Sequence, residues 1–288
     1  MSSPPAPSAP APEAPRPRER LSEVLAYRSL IDSYFRRQLR TRFLGSRLGW
    51  VWSLVNPLAM LAAYSIVFGV ILGADRGMPP AASGIRLFAV FLFTGLVCWN
   101  IFVSVLTQTL DGLLELIPLR RKVAFPVLAP LLGLAGATLV ERGVEVVLLL
   151  VVYAVLSTMS WTVLLVPVLM LLTAAFAFGL GMMLSVVNLK LRDIGHLIGV
   201  GLQLYFYATP IIYPAALVDE KFPDGHALRP WLVNNPMAAF VDAFRDVLWQ
   251  LQPPPLSRWL TMLAWTVGAL VVGWLWFRDR AYLVGEES

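Results

Sequence analysis

Few residues of this 288-residue chain have a type and spacing that could make or break a bond. The two histidines, His196 and His226, are too few and too isolated for a histidine-based metal site. Gly45 and Gly49 have no Lys-Ser/Thr behind them, so they form no phosphate-cradling loop; they are turn or close-packing glycines. No G-x-S-x-G nucleophile elbow occurs. The acidic pair Asp219-Glu220 lies in a polar loop, where a solvated face is a better reading than a general acid–base pair. Nothing here predicts bond chemistry in this chain, and if ATP drives it, another chain must hydrolyse the nucleotide.

The elements that position these residues are built for lipid. The chain is 58% hydrophobic and 14% charged, against roughly 45–50% and about 25% for soluble domains. The net charge of +5 then points to anionic lipid, and nucleic acid is not an expected partner. The single cysteine, Cys98, excludes an intrachain disulfide. Six segments are apolar over the length a bilayer demands, at approximately 50–72, 87–110, 139–157, 161–186, 197–213 and 259–277, the start of the third being the least defined. Six spans leave both termini on one side. With both inside, sixteen Lys/Arg residues fall on inner segments and six on outer ones, so both termini are predicted cytoplasmic. Trp50, Trp52, Trp161, Trp259, Trp274 and Trp276 lie near span ends, where amphipathic rings favour the headgroups. Residues 1–20, rich in Pro and Ala and without an apolar run, are predicted to be a disordered tail and not a signal peptide. Residues 21–48 space Leu21, Val24, Leu25, Ile31, Phe35, Leu39 and Phe43 as one helical face among arginines, which predicts an amphipathic helix in the membrane interface. Residues 49–288 are then a six-span domain, and the fold class is an all-α integral membrane protein. Arg142 and Glu145, three apart, are expected to pair locally near the inner leaflet.

Three motifs carry a family resemblance. The first runs Arg40-x-Arg42-Phe43-x-Gly45-Ser46-x-Leu48-Gly49-x-x-Trp52-Ser53-Leu54-x-Asn56-Pro57-Leu58, with Tyr64 and Phe68 beyond. The second is Asn188-Leu189-x-x-Arg192-Asp193-Ile194-x-His196-Leu197, then Gln203-Leu204 and Thr209-Pro210-Ile211-Ile212-Tyr213-Pro214. The third is Asn235-Pro236-Met237 with Phe244-Arg245-Asp246-Val247-Leu248. Together they resemble the ABC-2 type permeases that export polysaccharides such as O-antigen, teichoic acid and capsule. The sequence departs from the family pattern at Gln38, where an acidic residue is common, at Phe43, where tyrosine is, and at Val127-Leu128, which replace a usual charged pair.

The resemblance implies a homodimer in the cytoplasmic (inner) membrane, working with two copies of a separate ATP-binding subunit that holds the ATP and magnesium. This chain would carry no cofactor of its own. The substrate would be a lipid-linked polysaccharide such as O-antigen, passing between the two copies; teichoic acid, capsule or a small lipophile or drug are the alternatives. Coupling to the ATPase would fall to Arg40, Arg42, Arg120, Arg121, Lys122, Phe125, Arg192 and Asp193. A gate helix on the periplasmic or extracellular side, between spans five and six, would begin at Asn235 and Pro236, which suit an N-cap and first helical position. Its apolar stripe would run through Met237, Phe240, Val241, Phe244 and Leu248, with Asp242, Arg245 and Asp246 off it. Sugars stack their C–H faces on aromatic rings, so Tyr64, Phe68, Trp99, Phe102, Tyr205, Phe206, Tyr207 and Tyr213 are candidates to line the conduit. Gly45 and Gly49 would let the interface helix turn into span one, and Pro57 would kink that span, with Asn56 serving the backbone groups the proline frees.

Overall fold

The computed structural model describes residues 21–44, 51–71, 73, 81–85, 87–120, 122–123, 125–191, 193–215, 221, 226 and 229–280. Among these every regular element is helical. In order they are α1 (Leu21–Ala26), α2 (Arg28–Leu44), α3 (Val51–Tyr64) running into a π-helix (Ser65–Ile71), α4 (Phe88–Arg120), α5 (Leu128–Val155), a 3₁₀ turn (Trp161–Leu165) leading into α6 (Val166–Lys190), α7 (Ile194–Ala208), α8 (Arg229–Val233), α9 (Pro236–Leu248) and α10 (Leu256–Arg278). Three stretches, Phe88–Arg120, Trp161–Lys190 and Leu256–Arg278, are long and apolar enough to cross a membrane, and Pro57–Ile71 and Ile194–Ala208 are shorter apolar helices. The third predicted segment belongs to α5, which starts at Leu128 and holds Glu141, Arg142 and Glu145 inside its 28 residues. The chain is thus a multi-pass helical membrane protein. The tail 1–20 and the turn with Gly45 and Gly49 lie outside the described residues.

α4 is the centre of the bundle. It is buried at most positions from Phe88 to Leu116 and packs against α6, α5 and α9. Small residues set the closest approaches, as membrane bundles require: a Cβ on Gly273 of α10 would stand 2.2 Å from the Gly179 carbonyl oxygen of α6, and one on Gly181 would stand 2.7 Å from Thr109 Cβ of α4.

The contacts also fix direction. α9 meets the start of α4 through Phe91 and Gly95. It meets the start of α6 where Thr162 donates to the Val247 carbonyl at 2.7 Å, and the start of α10 through the Asp246–Arg258 ion pair. α9 therefore caps the first turns of α4, α6 and α10. Their opposite ends carry Arg120, Lys190 and Arg278, so one end of the bundle is basic.

At that basic end the predicted interface helix is two helices, α1 and α2, divided at Tyr27. α2 is docked on α5: a Cβ on Gly133 would come within 2.5 Å of the Ile31 carbonyl oxygen. Leu30, Ile31 and Tyr34 face the bundle, while Arg36, Arg37 and Arg40 are exposed. α3 continues through Pro57, and the change of register comes at Ser65, where the π-helix begins.

Candidate functional site

The capped end is organised by Asn235 and Arg245. Asn235 is the N-cap of α9, its Oδ1 accepting the Met237 amide at 2.9 Å. The same oxygen accepts the Tyr205 hydroxyl at 2.6 Å, and Nδ2 donates to the Ala208 carbonyl at 3.2 Å and Thr209 Oγ1 at 3.0 Å. One side chain thus starts α9 and ties it to the end of α7. Pro236 follows at the first helical position. Phe240 and Phe244 are fully buried. Arg245, expected off the apolar stripe, is buried instead, and that expectation is corrected. Its guanidinium donates to the Pro210 carbonyl at 2.5 Å and the Ile211 carbonyl at 2.7 Å, and it covers the Phe91 ring. Carbonyl dipoles and a ring face compensate the charge inside the bundle, as an intramembrane arginine needs. Asp246 is half-buried against Arg258.

Seven of the eight candidate conduit rings fall into two contact chains. In one, Trp99 meets Phe102, Tyr205 and Phe206 at ring centroid distances of 5.7, 5.7 and 5.5 Å, and Phe206 meets Tyr207 at 5.4 Å. Phe102 also stacks on Phe176 of α6, which stacks on Phe240. Trp99 and Phe102 are buried and serve as packing within one copy; Tyr205 and Phe206 are half-buried and Tyr207 is 62% exposed. In the other chain Tyr64 meets Phe68 at 6.1 Å, and Phe68 meets Phe88 at 4.9 Å. Tyr213 stands apart from both and donates to the Tyr207 carbonyl at 3.1 Å.

The candidate coupling residues gather at the basic end. Arg120 donates to the Phe125 carbonyl and lies over the Phe125 ring, fastening the turn between α4 and α5. Phe125 is buried, and Lys122, Asp193 and Arg40 are exposed. Arg121 and Arg192, and the side chain of Arg42, lie outside the described residues. Beside them burial pushes the Tyr34 phenol above its ordinary range; Arg37 opposes this and Glu115 adds to it.

Midway along α5 the sequence underread a cluster. Arg142 pairs with Glu145, as the spacing predicts, and with Glu141 at 3.1 Å. Asn100 of α4 donates to the other Glu145 oxygen at 3.0 Å. The pair is therefore part of a joint between two helices, and it stands near the middle of α5. Asn100, Arg142 and Glu145 line a cavity of ≈ 170 Å³ with Pro57, Met60 and Tyr64 of α3. The signal that could have found it was Asn100 itself, an amide in a long apolar run.

A helical bundle with a basic end bearing a docked, arginine-rich helix and an opposite end capped by an amphipathic helix belongs to the multi-pass membrane proteins. Residues 30–249 match the ABC-2 type transporter family, and the chain belongs to that family. It is 27% identical over 246 residues to the O-antigen export system permease protein RfbA of Myxococcus xanthus, covering 85% of this chain and 90% of that protein. It is 29% identical over 215 residues to the protein of the same name from Klebsiella pneumoniae, covering 73% and 76%. It is 24% identical over 264 residues to the polysialic acid transport protein KpsM of Escherichia coli, covering 87% and 93%.

Proposed function

We propose that this chain is the transmembrane permease of an exporter that moves a polysaccharide of the O-antigen kind across the cytoplasmic membrane. The observation that carries it is the near full-length match to permeases named for O-antigen export. In this reading α3, α4, α5, α6, α7 and α10 are six spans, the basic end is cytoplasmic with both termini, and two copies form the path. ATP and magnesium are held by a separate ATP-binding subunit in two copies, which docks on α2, the Arg120–Phe125 turn and the α6–α7 turn around Asp193. α9 acts as the outer gate.

Two measurements test this. The tagged chain, purified from its own membranes, brings down an ATP-binding subunit at equal stoichiometry; a chain that purifies without one overturns the assignment. Deleting the gene removes a surface polysaccharide seen on gels, and an unchanged polysaccharide overturns the substrate class.

A further inference from the structure

Six polar residues of α4 repeat at helical spacing: Asn100, Ser104, Thr107, Gln108, Asp111 and Glu115. At 3.6 residues per turn they fall within an arc of about 100°, and the stripe extends about 22 Å along the helix. Trp99 and Phe102 lie on other faces of the same helix, buried against α6 and α7. None of the six polar residues is buried, and Asp111 and Glu115 are exposed.

Apart from the Asn100–Glu145 and Gln38–Gln108 hydrogen bonds, this stripe of amides, hydroxyls and carboxylates is left outside the core; it is unfavourable against hydrocarbon, so it faces water or a polar ligand. The space along it agrees. A hollow of ≈ 260 Å³ is lined by the five residues from Ser104 to Glu115. At the stripe's upper end the ≈ 170 Å³ cavity brings Asn100 together with Arg142 and Glu145 of α5 and Tyr64 of α3. Arg142 Nε is buried there without a hydrogen-bond partner. Midway along the stripe Gln38 of α2 donates to Gln108 at 3.2 Å, so the docked helix borders it.

We propose that this face of α4 is the ligand-contacting wall of the translocation path, leading from the basic end to the Asn100–Glu145–Arg142 joint, and that it takes an uncharged, hydroxyl-rich chain. This rests on the reading of the protein as a polysaccharide permease. Ser104, Thr107 and Gln108 can both donate to and accept from sugar hydroxyls, and Asp111, Glu115 and Glu145 accept from them. Each contact replaces a hydrogen bond to water by one of similar strength, which lets a polymer advance without a deep binding step. Three carboxylates against one guanidinium make the wall negative, so a polymer with a carboxylate on each unit meets like charge. Arg36, Arg37 and Arg40 of α2 are exposed.

The test is thiol accessibility in inside-out vesicles that hold the full transporter. Ser104→Cys, Thr107→Cys and, as a lipid-side control, Val147→Cys (60% exposed on α5) are compared with the wild type, whose only cysteine is the buried Cys98. Membrane-impermeant methanethiosulfonates are used, one cationic and one anionic, each rate normalised to a free thiol. Both wall cysteines are expected to react at least tenfold faster than Val147→Cys, with the cationic reagent favoured at least threefold. Modified Ser104→Cys is expected to lose export at least tenfold relative to the same variant before modification. Wall cysteines that resist both reagents would overturn the wall. Modification without loss of export overturns it too, and faster anionic labelling overturns the uncharged-substrate clause. A wild-type transporter that moves no polysaccharide fails the functional reading instead, and the labelling pattern separates the two failures.

Discussion

The Arg245 guanidinium of α9 lies 3.7 Å from the centre of the Phe91 ring of α4. It is a cation buried at a helix junction, held by two backbone carbonyls of the turn after α7 and by Asp242 at 3.9 Å. One side chain therefore joins α9, α4 and the end of α7. Arg245→Met keeps the volume but strands the Pro210 and Ile211 carbonyls and leaves Asp242 facing Arg258 alone. The expected loss is about 3–5 kcal/mol, the range for removing one partner of a buried charge network. Arg245→Lys keeps the charge without the fork that reaches both carbonyls and is expected to fall between. Melting of the detergent-purified protein, followed by size-exclusion chromatography, ranks the three.

Asn235 makes the second tie between α9 and α7. Asn235→Ala removes the cap, worth about 1 kcal/mol on its own, and also the Tyr205 and Thr209 bonds. Tyr205→Phe removes only the hydroxyl, at about 1 kcal/mol. Because Tyr205 donates directly to Asn235, the two substitutions share an interaction, and the double variant is expected to cost at least 0.5 kcal/mol less than the sum of the singles. A double-mutant cycle on reversible denaturation measures the difference; strict additivity would show that the 2.6 Å bond contributes nothing.

What could be read from the sequence follows the range of each interaction. The Asn235-Pro236 cap and the Arg142–Glu145 pair depend on neighbours within three residues, and both stand where local rules put them. The docking of α2 on α5 and the carbonyl cage of Arg245 depend on partners 34 residues or more away, so residue type alone placed Arg245 on the wrong side of its helix. Trp99 and Phe102 are rings whose identity does not say which side of α4 they occupy. The polar stripe is the opposite case: its period is visible from Asn100 to Glu115, but averaging hydropathy along the segment hides it, since the apolar faces outweigh it.

Packing of α6 against α10 rests on Gly179 and Gly273. A methyl on Gly273 would stand 2.2 Å from a backbone oxygen that has no rotamer to escape into, whereas one on Gly268 of the same helix meets nothing within 4 Å. Gly273→Ala is expected to lose about 1–3 kcal/mol, the usual cost of overpacking. Gly268→Ala is expected to be neutral or slightly stabilising, since alanine favours helix. The yield of monodisperse protein from membranes separates them.

Gly133 offers a way to loosen α2 without touching its arginines. A Cβ there would stand 2.5 Å from the Ile31 carbonyl oxygen and 3.1 Å from the Phe35 amide nitrogen, both backbone atoms of α2. Gly136, one turn on, would only touch the Phe35 ring, at 3.4 Å. Gly133→Ala should push α2 off α5 while the core built on α4 is undisturbed, and Gly136→Ala should leave both in place. Hydrogen exchange is the direct measure: amides of 28–44 are expected to exchange at least tenfold faster in Gly133→Ala, with those of 88–116 unchanged. If α2 carries the push from the ATP-binding subunit, the same variant assembles with that subunit yet hydrolyses ATP without export. Normal export with a loosened α2 would reduce the helix to a membrane anchor.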